Sequence, residues 1–164
     1  MRPSFRLALP LAGVVLVLDQ VTKFLVQANL GFRDAVPLIP GYFDLVHVLN
    51  QGAAFGFLNQ EGLGWQRGFF IVVSLLACGV IVWLLRSEEG KGRLGATGLG
   101  LVLGGALGNL VDRVRTGLVV DFLDFYVGQW HWPAFNVADM GISCGVCLLI
   151  ISMYATGRRR SRHD

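Results

Sequence analysis

The chain has 164 residues, of which 54% are hydrophobic and only 15% are charged. A soluble domain carries about 25% charged residues, so this composition favours an integral membrane protein, and the length fits one domain over residues 1–164. The formal net charge is +3. Because the basic residues lie at the ends of apolar runs and not along one patch, the charge does not indicate a nucleic-acid partner.

Four apolar stretches are long enough to cross a bilayer, which takes about 20 residues. They cover residues of about 7–30, 65–85, 94–111 and 133–154. The first follows Arg2 and Arg6, as a cleaved signal peptide would, but it is too long, lacks a small-x-small cleavage site and contains charged residues. We therefore predict that all four are retained membrane helices.

Two charged residues, Asp19 and Lys23, lie inside the first span. Their spacing of four places them on one face of a helix, where they can neutralise each other. The sequence favours a structural ion pair that makes two buried charges tolerable over a catalytic role.

The segment of about residues 31–64 separates the first two spans. Tyr42–Leu49 is rich in β-branched and aromatic residues and predicts one or two strands lying on the membrane surface. The following run from Asn50 through Gly52 to Gly56 contains small residues that let a substrate chain come close, and Asn50 offers a donor and an acceptor. Such a run is also typical of an ordinary turn.

The third span is rich in glycine, and its pattern of small residues predicts close helix packing. The glycines are Gly95, Gly98, Gly100, Gly104, Gly105 and Gly108. Asn109, Asp112 and Arg113 follow and share one helix face. They either end the span and anchor the next loop, or place a guanidinium where it orients a phospholipid or a substrate carbonyl.

Two further carboxylates, Asp121 and Asp139, lie in otherwise apolar sequence, and Asn136 stands beside the second. An ionisable group at the edge of a membrane is costly and indicates a functional site. Two carboxylates held close together divide into an acid and a base, which can activate water. Ion or proton transport remains open from the residues alone, whereas Asp44 and Asp124 are interpreted as caps or surface charges.

Cysteine and histidine indicate no metal site or disulfide. Cys144 and Cys147 form a CxxC pair, but with Cys78 they lie in apolar runs, where small side chains packing between helices are the simpler interpretation. The three histidines are scattered and match no ligand spacing. They are His47, His131 and His163.

The basic residues predict the orientation. Nine of the 14 Lys and Arg residues fall on one side of the predicted spans, which should be cytoplasmic. These nine are Arg2, Arg6, Arg86, Lys91, Arg93, Arg158, Arg159, Arg160 and Arg162. Both termini are then cytoplasmic, and the two candidate carboxylates lie near the outer boundary.

Together these segments resemble the lipoprotein signal peptidases, the type II signal peptidases of bacteria. Five motifs occur in the family's order between Asp19 and Asp139, with no departure at a motif position. They are Asp19-x-x-Thr22-Lys23, Asn50-x-Gly52-Ala53-Ala54-Phe55, Gly108-Asn109-x-x-Asp112-Arg113, Val119-Val120-Asp121-Phe122 and Phe135-Asn136-x-Ala138-Asp139.

The resemblance implies an aspartic endopeptidase of the bacterial cytoplasmic (inner) membrane that needs no cofactor or metal. Its fold would be four transmembrane helices with an extracytoplasmic β-cradle, and we expect a monomer in contact with phospholipid. Its substrate would be a diacylglyceryl-modified prolipoprotein, cut N-terminal to the lipidated cysteine. By motif match, Asp121 and Asp139 are the catalytic dyad. The residues expected to hold substrate or dyad are Asn50, Gly52, Asn109, Arg113 and Asn136. Those expected to give structural support are Asp19, Lys23 and Asp112.

The residues alone also allow two other classes of function. A small transporter would use Asp19 or Asp139 as a proton relay, and it would show proton flux without peptide cleavage. A structural assembly factor would pack through the glycine-rich third span and would tolerate Asp-to-Asn changes. The second leaves the polar motifs unexplained.

Overall fold

The structure is a computed structural model that describes residues 3–50, 65–87 and 92–160. Its elements, in chain order, are α1 (Pro3–Asn29), β1 (Ala35–Ile39), β2 (Phe43–Asn50), α2 (Trp65–Leu84), α3 (Arg93–Arg115), β3 (Val119–Val127), β4 (Trp130–His131) and α4 (Val137–Arg160). All four helices are long and apolar enough to cross a membrane. The predicted fold class, four membrane helices with a small β element, is confirmed.

The helix bounds differ from the predicted spans where polar residues find partners. α3 continues to Arg115 instead of ending near residue 111, because Asp112 is buried against groups on other elements. α4 begins at Val137 and not near residue 133, because Asn136 forms its N-terminal cap.

Helix α3 lies at the centre of the bundle and packs against α1, α2 and α4. A Cβ atom added to Gly100 or Gly104 would lie 2.7 or 2.6 Å from the backbone oxygens of Ala8 and Ala12 in α1. These distances are far below a normal contact, so only glycine permits this approach of the two backbones. The packing predicted from the glycines is confirmed.

An apolar core joins α1, α2 and α3 at the end of the bundle away from the strands. Its members are Ala8, Ala12, Ile81, Leu85, Leu99 and Leu103. The buried hydroxyl of Ser4 donates a hydrogen bond to the backbone oxygen of Leu85 over 2.9 Å, which ties the start of α1 to the end of α2. Most other α2 side chains face outward, as a lipid-facing helix requires.

The strands form one antiparallel sheet in the order β1-β2-β3-β4. The strand predicted at Tyr42–Leu49 is present as Phe43–Asn50. β3, its central neighbour, was not predicted, although it carries Asp121 and pairs with β2 from Phe43↔Phe125 to Asn50↔Val119. The sheet lies at the end of the bundle where α1 and α3 end and α4 begins.

The cysteines are placed differently from expectation. Cys144 and Cys147 are exposed on α4 and so do not pack between helices, while Cys78 is half-buried. Gly141 and Gly145 of α4 occupy the side that faces α3, because a Cβ on Gly145 would lie 2.6 Å from the backbone oxygen of Gly98 and one on Gly141 would lie 3.2 Å from that of Leu101. That leaves the cysteine side chains to the outside of the helix.

Candidate active site

The two candidate carboxylates come from different elements and meet at one residue, Asn136. Asp121 lies in β3 and is 2% exposed, whereas Asp139 is half-buried in the first turn of α4. The Asn136 side chain donates to Asp121 Oδ1 over 2.6 Å, and the Asn136 backbone N–H donates to Asp139 Oδ2 over 3.3 Å. Asn136 is fully buried and therefore fixes both carboxylates at once.

The start of α4 positions Asp139 through a capping box. The Asp139 N–H donates to Asn136 Oδ1 over 3.0 Å, and the Asp139 carboxylate accepts in return from the Asn136 N–H. The sequence placed Asp139 about a turn inside the fourth span. The structure places it in the first turn, where the positive end of the helix dipole favours a negative charge.

Two more asparagines complete the contacts of the carboxylates. Asn109 of α3 donates to Asp139 Oδ1 over 2.8 Å, and Asn50 at the end of β2 donates to Asp121 Oδ2 over 3.1 Å. Both oxygens of each carboxylate therefore accept a hydrogen bond. Gly52 was also expected at this site and lies outside the described residues.

The surroundings of Asp121 favour its protonated form. Burial, helped by the nearby charge of Asp139, raises the pKa of Asp121 from 3.8 to about 7, against the opposing hydrogen bonds from Asn50 and Asn136. Near neutral pH the site can thus hold a proton on one carboxyl and a charge on the other. This is the division of roles that acid–base catalysis by two carboxyls needs.

A buried ionic cluster supports the elements that carry the two candidate carboxylates. The predicted pair of Lys23 Nζ with Asp19 Oδ2 is present at 2.9 Å, and Lys23 also contacts Asp112 Oδ2 at 2.7 Å and Asn109 Oδ1 at 3.1 Å. The three donors of the ammonium group thus meet three acceptors. Two carboxylates and an amide share one buried cation, which links α1 to α3 and, through Asn109, to Asp139.

Each acid of this cluster also fixes a backbone group. Asp19 Oδ1 accepts from the N–H of Ala138 in the first turn of α4 over 2.9 Å, and Asp112 Oδ2 accepts from the N–H of Val120 in β3 over 3.4 Å. The residues next to Asp139 and Asp121 are therefore held by the same cluster. Sequence reasoning gave both acids a supporting role but could not indicate these contacts.

Gln20 belongs to the cluster and was missed. Its side-chain nitrogen lies 3.1 Å from Asp19 Oδ2, 3.0 Å from Asp112 Oδ1 and 3.2 Å from the backbone oxygen of Gly108. The only signal in the sequence was its place beside Asp19.

Arg113 reaches the edge of the site. Its guanidinium carbon lies 5.4 Å from the centre of the Phe70 ring on α2, and Nη1 makes a long contact of 3.4 Å to the backbone oxygen of Asn109. Its buried Nε has no hydrogen-bond partner among the described residues. Asp139 is close enough to interact with it electrostatically, so this donor lies near the candidate carboxylates.

The remaining acids and histidines of the described segments lie elsewhere. Asp124 contacts His131 Nδ1 at 2.8 Å, and Asp44 accepts from the Tyr126 hydroxyl over 3.0 Å, on strands of the outer sheet. His47 contacts the backbone oxygen of Leu30. Across the part of the chain that the structure describes, no three His, Cys, Asp or Glu side chains are grouped as metal ligands.

The chain is similar to known proteins over most of its length. A family model described as "Signal peptidase (SPase) II" matches residues 11–155. A lipoprotein signal peptidase of Nitratidesulfovibrio vulgaris (strain DP4) is 53% identical over 92% of this chain and 91% of its own length. One of Geobacter metallireducens (strain ATCC 53774 / DSM 7210 / GS-15) is 44% identical over 100% of both chains.

Two solved structures titled as bacterial membrane enzymes share the fold. One has a TM-score of 0.80 at 30% identity, over 90% of this chain and 87% of its own. The other has a TM-score of 0.79 at 29% identity, over 89% of this chain and 91% of its own. The chain therefore belongs to the signal peptidase II family, the bacterial inner-membrane proteases that remove the signal peptide from prolipoproteins.

Proposed function

We propose that Asp121 and Asp139 are the catalytic dyad with which this protein cuts diacylglyceryl-modified prolipoproteins N-terminal to the lipidated cysteine. The observation that carries the proposal is the shared Asn136, whose carboxamide and backbone N–H hold the two carboxylates 2.6 and 3.3 Å away. A purely structural pair of acids would not need to be brought together at the edge of a membrane, where each costs free energy.

Asp121 is the proton donor of the pair and Asp139 the base. The pKa of Asp121 is raised to about 7, so it keeps its proton at moderately acid to neutral pH. Asp139 accepts hydrogen bonds from Asn109 and from the Asn136 backbone at a helix N-terminus, and these stabilise a negative charge. Half-burial also leaves Asp139 accessible to a water molecule.

The reaction then follows from a protonated Asp121 and an ionised Asp139. Asp139 takes a proton from a water molecule, whose oxygen attacks the scissile carbonyl carbon, while Asp121 donates its proton to the carbonyl oxygen. The resulting gem-diol collapses as a proton passes to the leaving amine of the lipidated cysteine. The carbon–nitrogen bond breaks, and one water molecule is consumed.

The other residues of the site hold the dyad or the substrate. Asn50, Asn109 and Asn136 orient the two carboxylates, and the unpaired Nε of Arg113 is available to a substrate carbonyl. We assign Gly52 to substrate approach on sequence grounds alone. Asp19, Lys23 and Asp112 act through the elements that they connect.

The site would face the outer leaflet, because the lipidated cysteine keeps its acyl chains in the membrane. Phospholipid would contact the outward apolar sides of the helices, and we expect a monomer to be active. Proton transport through Asp19 is disfavoured by the contacts of that residue, since it is fully buried against Lys23 and the N–H of Ala138.

The test is cleavage of a diacylglyceryl-modified prolipoprotein by purified Asp121→Asn and Asp139→Asn. Both changes keep the shape of the side chain, and an amide oxygen can still accept the cap hydrogen bond at residue 139. Because general acid–base groups contribute about 10²–10⁴-fold, each change should lower kcat by at least about 100-fold. The thermal melts should stay near that of the parent protein.

Asp124→Asn is the matched control, because Asp124 lies on the same strand but contacts His131 and not the dyad. It should keep the parent activity. Full cleavage by either folded dyad variant would contradict the assignment. Loss of activity in EDTA that a divalent metal restores would replace this mechanism with a metal-dependent one.

A further inference from the structure

A neutral side chain, that of Gln20, contacts both acids of the buried ionic cluster and is not used by the proposed reaction. Its nitrogen lies 3.1 Å from Asp19 Oδ2 and 3.0 Å from Asp112 Oδ1. It also lies 3.2 Å from the backbone oxygen of Gly108. All three partners are acceptors, so the amide nitrogen and not the amide oxygen must face them. Gln20 therefore joins α1 to α3 beside the charged contact of Lys23.

The contact with Gln20 fixes the orientation of the Asp112 carboxylate. Lys23 Nζ and the N–H of Val120 both contact Asp112 Oδ2, at 2.7 and 3.4 Å, whereas Gln20 contacts Oδ1. A carboxylate that is held by one oxygen can still turn about its Cβ–Cγ bond, and the second contact prevents that rotation. Asp112 is buried, so an oxygen that loses its donor here pays a desolvation cost.

Asp112 in turn holds the residue that precedes Asp121. The N–H of Val120 donates to Asp112, and the Val120 backbone oxygen accepts from the Asn136 side chain over 3.2 Å. Both sides of this peptide segment are therefore bound. A shift of Asp112 would be passed along β3 to the next residue, Asp121.

Asp19 holds the residue that precedes Asp139 in the same way. Asp19 Oδ1 accepts from the N–H of Ala138 over 2.9 Å, while Asp19 Oδ2 is contacted by Lys23 and by Gln20. A shift of Asp19 would be passed through Ala138 to the first turn of α4. Gln20 thus bridges two acids, each of which is bonded to the neighbour of one candidate catalytic carboxylate.

We infer that Gln20 is a positioning residue that sets the distance between the two carboxyl groups of the proposed dyad. It acts through Asp19 and Asp112 and not by contact with the reacting atoms. A proton donor and a base that serve one carbonyl group must be placed accurately, because reaction requires near-attack geometry. The inference rests on the proposed function, since the distance matters only if Asp121 and Asp139 work as a pair.

The test is steady-state cleavage of a diacylglyceryl-modified prolipoprotein by purified Gln20→Met. Methionine is close to glutamine in length but supplies no hydrogen-bond donor. Because a misplacement of about 1 Å can cost about 100-fold in rate, the looser bridge should lower kcat by about tenfold. KM should change by less than about twofold, because the contacts that bind the substrate stay in place.

Gln20→Glu tests whether a donor at this position is what matters. The charged groups that face it are Asp19 and Lys23 of α1 and Asp112 of α3. The ionised form cannot donate and adds a negative charge beside two acids, whereas the protonated form can donate again. The ratio of its kcat to that of the parent protein should therefore rise as the pH is lowered. The ratio for Gln20→Met should stay constant, and a constant ratio for both variants would contradict the inference.

Gln27→Met is the matched control, because Gln27 is an exposed glutamine of the same helix. It should keep the parent values of kcat and KM. If Gln20→Met lowers only the Tm and leaves the kcat of the folded protein unchanged, Gln20 is purely structural and the inference is wrong. A higher KM at constant kcat would make Gln20 a substrate contact and would also overturn it.

The dyad variants separate a failure of this inference from a failure of the proposed function. Full cleavage by Asp121→Asn or Asp139→Asn would overturn both. If these two variants are inactive and Gln20→Met has the parent kcat, only the positioning role is wrong. Thermal melts identify a Gln20→Met protein that fails to fold, and Gln20→Asn then replaces it. Asparagine keeps the amide but is too short to bridge both acids, so kcat should fall by about threefold.

Discussion

Three asparagines orient the two carboxylates. Asn50 donates to Asp121, Asn109 donates to Asp139, and Asn136 donates to Asp121 through its carboxamide and to Asp139 through its backbone N–H. A carboxamide is neutral at every pH and donates through a fixed N–H group, so it can orient a carboxylate without supplying a charge that would hold both acids ionised. Lys23 does not contact either carboxylate directly, because its ammonium group reaches Asp139 only through Asn109.

Removal of one of these donors should move the pH profile. Asn50→Ala deletes a hydrogen bond that favours ionised Asp121, so the pKa of Asp121 should rise from about 7. The proposed mechanism needs the protonated form, and the alkaline limb of kcat/KM against pH should therefore shift upward by about one unit. Asn29→Ala, which alters an asparagine that contacts only the Leu25 backbone oxygen, should leave the limb in place. A downward shift in Asn50→Ala would contradict the assignment of the proton to Asp121.

Lys23 should be indispensable to stability. Lys23→Met would leave Asp19 and Asp112 buried without their shared cation, and breaking such a cluster costs about 3–5 kcal/mol. We expect a large fall in Tm in detergent, partly reversed by the further change Asp19→Asn. Arg6→Met, which removes an exposed cation from the same helix, should change the free energy of unfolding by less than about 0.5 kcal/mol. An unchanged Tm in Lys23→Met would refute the structural role.

The first turn of α4 is the element on which the site depends most. It carries Asp139, its cap Asn136 lies against β3, and the N–H of Ala138 is bound by Asp19 from α1. On its other side it lies against Gly105 and Gly108 of α3, where no side chain separates the helices. The position of Asp139 is thus determined by helix packing as well as by its own hydrogen bonds.

A methyl group at Gly105 should displace this turn. Its Cβ would overlap the backbone oxygen of Ala138 and lie 2.8 Å from Ile142, so α3 and α4 must move apart. Overpacking of this kind costs about 1–3 kcal/mol, and the shift should also lower kcat because Asp139 leaves Asn109. Gly13→Ala on α1, where nothing lies within 4 Å, is the matched change and should keep both Tm and kcat. Equal Tm and kcat in the two variants would show that the contact between Gly105 and α4 tolerates a methyl group.

The sequence predicted elements that show a strong local pattern and missed those defined by distant contacts. Apolar runs identified the helices, and carboxylates in apolar sequence identified Asp121 and Asp139. β3 was missed because Asp121 and Asp124 interrupt its apolar residues, and because its pairing with β2 joins segments far apart in the chain. Lys23 contacts Asp112, and Gln20 contacts α3, because of the way α1 and α3 are oriented toward each other. This relative orientation cannot be predicted from a local sequence pattern.

At the scale of the whole molecule, the strands and the start of α4 gather at one end of the bundle. Arg6, Arg86 and Arg93 lie at the other end, near the contact between Ser4 and Leu85, whereas Arg33, Arg67 and Arg115 lie at the end with the strands. The bias of basic residues toward the cytoplasm then predicts that the sheet and the dyad face outward. This orientation agrees with a substrate that is exported before it is cut.

Cysteine labelling in whole cells should reveal this orientation. In a variant whose natural cysteines are replaced by alanine, Val127→Cys at the far end of β3 should react with a membrane-impermeant maleimide in cells with a permeable outer envelope. Ser87→Cys after α2 should react only after the inner membrane is opened. The reverse pattern would place the sheet in the cytoplasm and exclude the proposed orientation.

The order of synthesis determines when the hydrogen bonds between Asn136 and the two carboxylates can form. Asp121 emerges from the ribosome before Asn136 and Asp139, and α4 follows the other three described helices in the chain. Until that helix docks against Gly105 and the N–H of its Ala138 donates to Asp19, the incomplete protein has one member of the proposed dyad and no means to activate water. With the proposed dyad, the protein would be inactive during its own synthesis and would become active only when α4 has docked.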